Sequence, residues 1–189
     1  IFLIFNIIFS ESNLEKYLWP TNASNTITTV FGDKRSRRFH AGIDVRTYGI
    51  NGFDLYAISS GYISRISIKP TGYGKTLYLT LDDGNTAVYA HLDFFIDEIE
   101  KFVDIQKNKK NKNFIDIHLD ENTFRFNKGD IIGYAGDSGS LSGPHLHFEI
   151  RNDKGEPINP LINHYNITDT KIPIANSIAF VPFDSTCYI

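Results

Sequence analysis

With 189 residues, 41% of them hydrophobic, the chain is long enough for one domain with a sizeable core. A net charge of −3 and a pI near 6.1 give no electrostatic reason to expect nucleic acid, so DNA and RNA are discounted as partners. There is no methionine and a single cysteine, Cys187, which leaves no internal disulfide and gives the expectation of a fragment that starts downstream of its initiator.

Ile1 to Phe9 is apolar apart from Asn6. The run is far short of the roughly 20 residues that cross a bilayer, so no stable membrane span is expected. With the small residues Ser10 and Ser12 beyond it, residues 1–10 read as the remnant of a signal peptide, a buried N-terminal strand being the other reading. Export without disulfides suits the periplasm or surface of a bacterium.

After a polar connector, Ile27 to Phe31 predicts a strand, and 32–38 is a basic loop of the solvated kind. In Phe39-His40-Ala41-Gly42-Ile43-Asp44-Val45 the glycine and the β-branched residues argue against helix. A turn entering a strand would bring His40 and Asp44 towards one point. Leu55 to Lys69 reads as strand, turn at Ser59-Ser60-Gly61, and a long strand carrying Ile63, Ile66 and Ile68. The glycine-rich loop Pro70 to Gly74 lacks the lysine and the strand-to-helix context of a phosphate cradle. Leu77, Leu79 and Leu81, the turn at 82–85, and Thr86 to His91 make a β-hairpin.

The period then changes. Phe95, Ile99, Phe102 and Val103 fall at helical spacing within Phe94 to Gln106, and Lys107 to Asn113 reads as a polar loop. Phe114 to Leu119 alternates as a strand with His118 on its surface side. Lys128 to Gly136 is a turn and a short strand with glycine kinks, as in a curved sheet. Next, Pro144 to Arg151 alternates at the two-residue strand period, with Leu146, Phe148 and Ile150 on one face and His145, His147, Glu149 and Arg151 on the other. The two histidines are then about 6 to 7 Å apart, a separation that suits one metal ligand beside one catalytic base, although such pairs also occur as satisfied half-buried residues. A turn at 152–155 and Asn159-Pro160-Leu161 close the domain. His164 lies outside this apparent core, Asp169 to Pro173 reads as a linker, and Ser177 to Phe183 as the first strand of a further segment in 165–189.

A catalytic zinc takes three N or O ligands and keeps a fourth position open. The sequence offers His40, Asp44 and one member of the pair His145/His147. The other member and His91 could then move protons or stabilise an oxyanion.

Four ordered motifs carry a resemblance: Arg38-Phe39-His40-Ala41-Gly42-Ile43-Asp44, Tyr89-Ala90-His91-Leu92, Lys128-Gly129-Asp130, and Gly143-Pro144-His145-Leu146-His147-Phe148-Glu149. Over about Ile27 to Leu161 the chain resembles the lysostaphin/LytM-type zinc endopeptidases of peptidoglycan. The resemblance implies a small antiparallel β-fold of the barrel-sandwich-hybrid kind; with the helix read from the period, a mainly β domain with one short inserted helix is expected over 11–164. It implies one Zn²⁺ on His40, Asp44 and His147, with His91 and His145 as the catalytic pair; zinc chemistry then makes a metal-activated water the expected nucleophile. The partner implied is the peptide stem of peptidoglycan, received in a groove for which Arg38, Tyr73 and Glu149 are candidate contacts. A supporting or purely structural role is the stronger reading for Glu149, which lies too far along its strand to be an obvious fourth ligand.

The stretch 94–126 is an insertion relative to the smallest members, and its position just after His91 leads to the expectation that it borders the groove. The segment beyond 164 has no counterpart in the catalytic domain. An inactive peptidoglycan-binding or amidase-activating relative is the alternative, but such relatives lack metal ligands and here none is missing. A sugar-transport phosphocarrier shares related β-motifs, yet it would be cytosolic and has no need of His40 with Asp44. The cross-link itself stays open between glycine-rich bridges and D-amino-acid links.

Overall fold

A computed structural model describes residues 16–35, 38–140, 142–162, 164, 165 and 167. The apolar N-terminal run, the linker, the terminal strand expected at 177–183 and Cys187 lie outside these residues.

The fold is mainly β and antiparallel. In the larger sheet the strands run in the order β1 (Ile27–Thr29), β2 (Ile43–Arg46), β11 (His145–Arg151), β6 (Thr86–Ala90), β5 (Lys75–Leu81), β4 (Gly61–Ile68) and β8 (Ile115–His118). Strand β12 (Pro157–Ile158) adds to β11, and β9 (Arg125–Phe126) adds to β4. A smaller sheet has β10 (Ile131–Ala135) between β3 (Asp54–Tyr56) and β7 (Leu92–Phe95). One buried cluster joins the two sheets: Leu77, Leu79, Ile63 and Ile66 from the larger, with Leu55, Leu92, Phe95 and Ile132 from the smaller. Leu77 and Leu79 reach it by two-residue alternation, since every second side chain points to the same face, whereas Ile63 and Ile66, three apart, both reach it because the β4–β5 register shifts between Ile63 and Arg65.

The helix, α1 (Asp97–Lys110), differs from its predicted limits. Phe94 and Phe95 belong to β7, and Ile96 is still extended, so the first turn begins with Asp97, Glu98 and Glu100. The run read as a loop from Lys107 supplies the last turn, where Lys107, Lys109 and Lys110 meet the negative end of the helix dipole and Asn111 stops it in the left-handed region at φ 48°. Only Ile99 and Val103 are buried on it. Among the described residues no helix is long and apolar enough to cross a membrane.

The insertion does not border the groove, contrary to expectation. Its strand β8 pairs with β4 at the edge of the sheet opposite β1, and α1 is tied to β5 by Lys75, whose Nζ reaches Glu100 at 3.2 Å and the Asp93 carbonyl of β7 at 2.6 Å.

The stretch before Ile27 is also more than a connector. Tyr17 is 1% exposed, donates to Asp83 at 2.6 Å and stacks on His164 at 4.9 Å, while Tyr165 is buried and donates to the Leu18 carbonyl. His164 thus packs against the domain rather than lying outside it.

At the centre β2 and β11 approach very closely. A Cβ on Gly42 would stand 2.1 Å from the Phe148 carbonyl oxygen and 2.9 Å from Glu149 Cγ. Gly42→Ala should therefore push these strands apart, costing about 1–3 kcal/mol or more; calorimetry should show a Tm lowered by several degrees, and an unchanged Tm would mean that the contact yields easily.

Candidate active site

The register of β2 against β11 sets His147 opposite Asp44 and His145 opposite Arg46, side chains on one face. His40 comes from the turn before β2, its N–H on Asp33 O and its C=O on Gly32 N. Its Nδ1 lies 2.9 Å from the Val30 carbonyl. A carbonyl only accepts, so the neutral ring carries its proton on Nδ1 and presents a lone pair at Nε2. His147 is arranged the other way round: Nε2 lies 2.9 Å from Glu149 Oε1, a carboxylate acceptor, which leaves the lone pair on Nδ1.

Three acceptors therefore face one another. His40 Nε2 is 3.1 Å from Asp44 Oδ1 and 2.9 Å from His147 Nδ1, and His147 Nδ1 is 3.0 Å from that same oxygen. Ligands of a tetrahedral zinc stand roughly 3.3 Å apart, given bonds of about 2.0–2.1 Å. All three residues are buried, and lone pairs this close repel unless a cation or proton lies among them. The donor set fits zinc on both counts. Burial pushes the Asp44 carboxyl up, but His147, His40 and Thr29 more than offset this and hold it far below the usual range. Its second oxygen accepts from Thr29 Oγ1 and from Arg35 Nη2 at 3.1 Å. Burial likewise lowers the His147 imidazole, while Asp44 and Glu149 outweigh it and raise it.

Glu149 is 0% exposed, which corrects its reading as a substrate contact. Its carboxylate accepts from His147, from the Tyr73 hydroxyl and from Arg151 Nε at 2.7 Å. It is a buried support for His147, and its charge is balanced by Arg151.

The other two imidazoles stand beside this triad with rings 4.6 Å apart. His91 Nδ1 is 2.9 Å from Ser138 O, and His145 Nδ1 is 2.8 Å from Gly143 O, so both neutral rings present a lone pair at Nε2. His145 Nε2 is 3.8 Å from Asp44 Oδ1. His91 adopts φ 62°, uncommon for a non-glycine residue, at the point where the chain leaves β6 and enters β7 in the other sheet. Burial brings its pKa down to about 4.

The site opens into a cleft of about 510 Å³ lined by Arg38, Phe39, Tyr73, His91, Ser140 and His145 among others. A second limb of about 540 Å³ continues past His145 to Thr28, Arg46, Tyr48 and Pro144. Arg38 and Tyr73 both line this cleft, and the Tyr73 ring is 5.0 Å from that of His147. His118 is exposed on the opposite sheet edge. Sequence reading missed Arg35 and Thr29, and it placed Arg151 on the histidine face without giving it a role. Arg35 sits in a basic run indistinguishable from solvated surface, and only the fold brings its guanidinium to Asp44.

Known proteins resemble this chain in sequence and in fold. The model of Peptidase family M23 matches residues 117–160. The chain is 29% identical over 124 residues to the DD-carboxypeptidase/endopeptidase Mpg of Neisseria meningitidis serogroup B, covering 66% of this chain and 22% of that protein. The structure of Helicobacter pylori Csd3 superposes with a TM-score of 0.54 at 26% identity, over 83% of this chain and 35% of that one. The catalytic domain of lysostaphin from Staphylococcus simulans shares the fold, with a TM-score of 0.51 at 21% identity over 72% and 89% of the two chains. The chain is thus similar to Peptidase family M23 over residues 117–160 and shares the fold of lysostaphin's catalytic domain, and it spans about a fifth of the length of the curated relative it matches.

Two outcomes follow from this geometry. Glu149→Gln keeps an acceptor near His147 but removes the charge, so zinc affinity, measured by competition with a chromogenic chelator, should fall about 10- to 100-fold with the fold retained. The second concerns His91, whose folded pKa of about 4 lies below the roughly 6.5 of a free imidazole. Between these values the unfolded state binds the proton and the folded state does not, so the stability His91 contributes is full above pH 6.5 and is lost as pH falls towards 4. His91→Gln should flatten that part of the metal-free protein's stability profile, and NMR of the His91 ring should show a midpoint near 4.

Proposed function

We propose that this chain is a zinc-dependent endopeptidase that hydrolyses peptide cross-links of bacterial peptidoglycan, working outside the cytoplasm in the periplasm or at the cell surface. The observation that carries the reading is the convergence of His40 Nε2, Asp44 Oδ1 and His147 Nδ1 within 3.1 Å of one another, beside two imidazoles with free Nε2 atoms. The relationship to a protein named a DD-carboxypeptidase/endopeptidase supports a peptidase, and the motifs shared with lysostaphin/LytM-type enzymes support the cell-wall substrate.

His40, Asp44 and His147 would hold the ion. Zinc there supplies Lewis acidity, polarising a peptide carbonyl and acidifying water. His91, kept neutral by burial down to about pH 4, accepts a proton at Nε2 and returns it to the leaving amine. His145, facing it, offers Nε2 to the same reacting group, as a second proton carrier or, once protonated, as a donor to the developing oxyanion. Ser138 O and Gly143 O fix the two tautomers, so neither ring has to reorient as the proton moves. Glu149 holds His147 in its metal-binding tautomer, and Tyr73 and Arg38 wall the cleft in which the stem peptide lies.

On purified peptidoglycan, chelator should stop the appearance of new amine termini seen by mass spectrometry, and zinc should restore it. His147→Ala and His40→Ala should empty the metal site. His91→Ala and His145→Ala should keep about one zinc per chain and lose on the order of 100- to 10,000-fold in turnover. Turnover that survives complete metal removal would overturn the assignment.

A further inference from the structure

Beyond Asp44 and His145, which it shares with the reacting site, the second limb of the cleft has no part in the chemistry above, and its other side chains point to what the substrate carries. Arg46 stands two residues beyond Asp44 on β2, on the same face and directly opposite His145. Its guanidinium lies 6.0 Å from the ring centroid of Tyr48, and it has no ion-pair partner among the described residues. Tyr48 is 61% exposed and is held out by a left-handed backbone at φ 55°, followed by Gly49 at φ 75°. Thr47, also on this lining, is buried with a hydroxyl that finds no partner among the described residues. On the other limb Arg38 likewise has no carboxylate partner among the described residues. Across both limbs Asp44 is the one acidic lining residue described, and Arg35 already balances it. The two limbs are therefore cationic on either side of the reacting point.

We propose that Arg46, backed by Tyr48, is a specificity-determining residue that binds a free carboxylate of the stem peptide close to the scissile bond. This rests on the peptidoglycan reading given above. It narrows the substrate class to stems bearing an anionic carboxylate there, as against neutral glycine bridges or amidated stems. The position follows from strand geometry, since Asp44 and Arg46 are about 6–7 Å apart along β2. An extended substrate running alongside meets Arg46 within about two residues of the bond held over the Asp44 site. A guanidinium matches a carboxylate with two parallel N–H donors, whereas an amide offers a single acceptor oxygen and no charge. Tyr48 stiffens the arginine and shields it on one side from water, which strengthens that pairing.

The test uses two synthetic cross-linked stem-peptide dimers, identical except that one α-carboxylate within two residues of the cross-link is free in one and amidated in the other. Cleavage by the zinc-loaded full chain is compared with equilibrium binding of both peptides to the metal-free full chain, for the parent, Arg46→Ala and Arg46→Lys. The parent should favour the free acid by roughly ten- to a hundredfold in kcat/KM and in binding. Arg46→Ala should lose the preference, with little change on the amidated peptide, and Arg46→Lys should keep part of it. Equal treatment of the two peptides by the parent, a preference that survives Arg46→Ala, or an equal loss on both peptides would overturn the proposal. An Arg46-dependent preference in binding with neither peptide cleaved would sustain it and count against the endopeptidase reading instead, whereas both peptides cut equally would do the reverse.

Discussion

Everything at the site depends on the pairing of β2 with β11. That ladder sets His147 across from Asp44 although 103 residues separate them. A slip of one residue would turn His145, His147 and Glu149 to the opposite face and put Leu146 and Phe148 in their place. What fixes the register is burial on both sides: Leu146, Phe148 and Ile150 lie in the main core, while His147 and Glu149 are buried on the other face. Gly42 allows the two backbones to come this close.

On that frame one device is used four times. Each imidazole of the site has one ring nitrogen tied to a fixed acceptor: Val30 O for His40, Ser138 O for His91, Gly143 O for His145 and the Glu149 carboxylate for His147. Each neutral ring then has its proton on that nitrogen and its lone pair on the other. The three carbonyls free Nε2, and Glu149 frees Nδ1 in the ring that approaches from the far strand. Glu149 differs from the carbonyls in bearing a charge, and this explains why Arg151 is drawn to the same buried place.

The rest of the molecule is arranged to leave this face open. β8 lies at the edge of the sheet opposite β1, and α1 packs against β7 of the smaller sheet. His91 occupies the step between the two sheets, so the second sheet carries the chain away directly after delivering that side chain. The left-handed backbone at His91 is held by its N–H on Tyr73 O, which also draws the loop bearing Tyr73 over His147.

The sequence by itself determined most of the strands, because alternation of apolar and polar residues depends only on the two-residue period, and it named His40, Asp44 and His147 as residues expected to meet, because four motifs in order carry a resemblance to a family. Local signals misplaced the ends of α1, where lysines that look solvated complete a last turn favoured by the helix dipole. Only the tertiary structure decided that 94–126 stays clear of the cleft, that Tyr17 and His164 close on each other, and that Arg35 and Thr29 hold Asp44. It also turned Glu149 from a possible substrate contact into a buried partner of His147. These are contacts between residues far apart in the chain, or between side chains whose local pattern is that of ordinary surface. No period or spacing encodes them, and they exist only once the sheet order has been set by burial of the core.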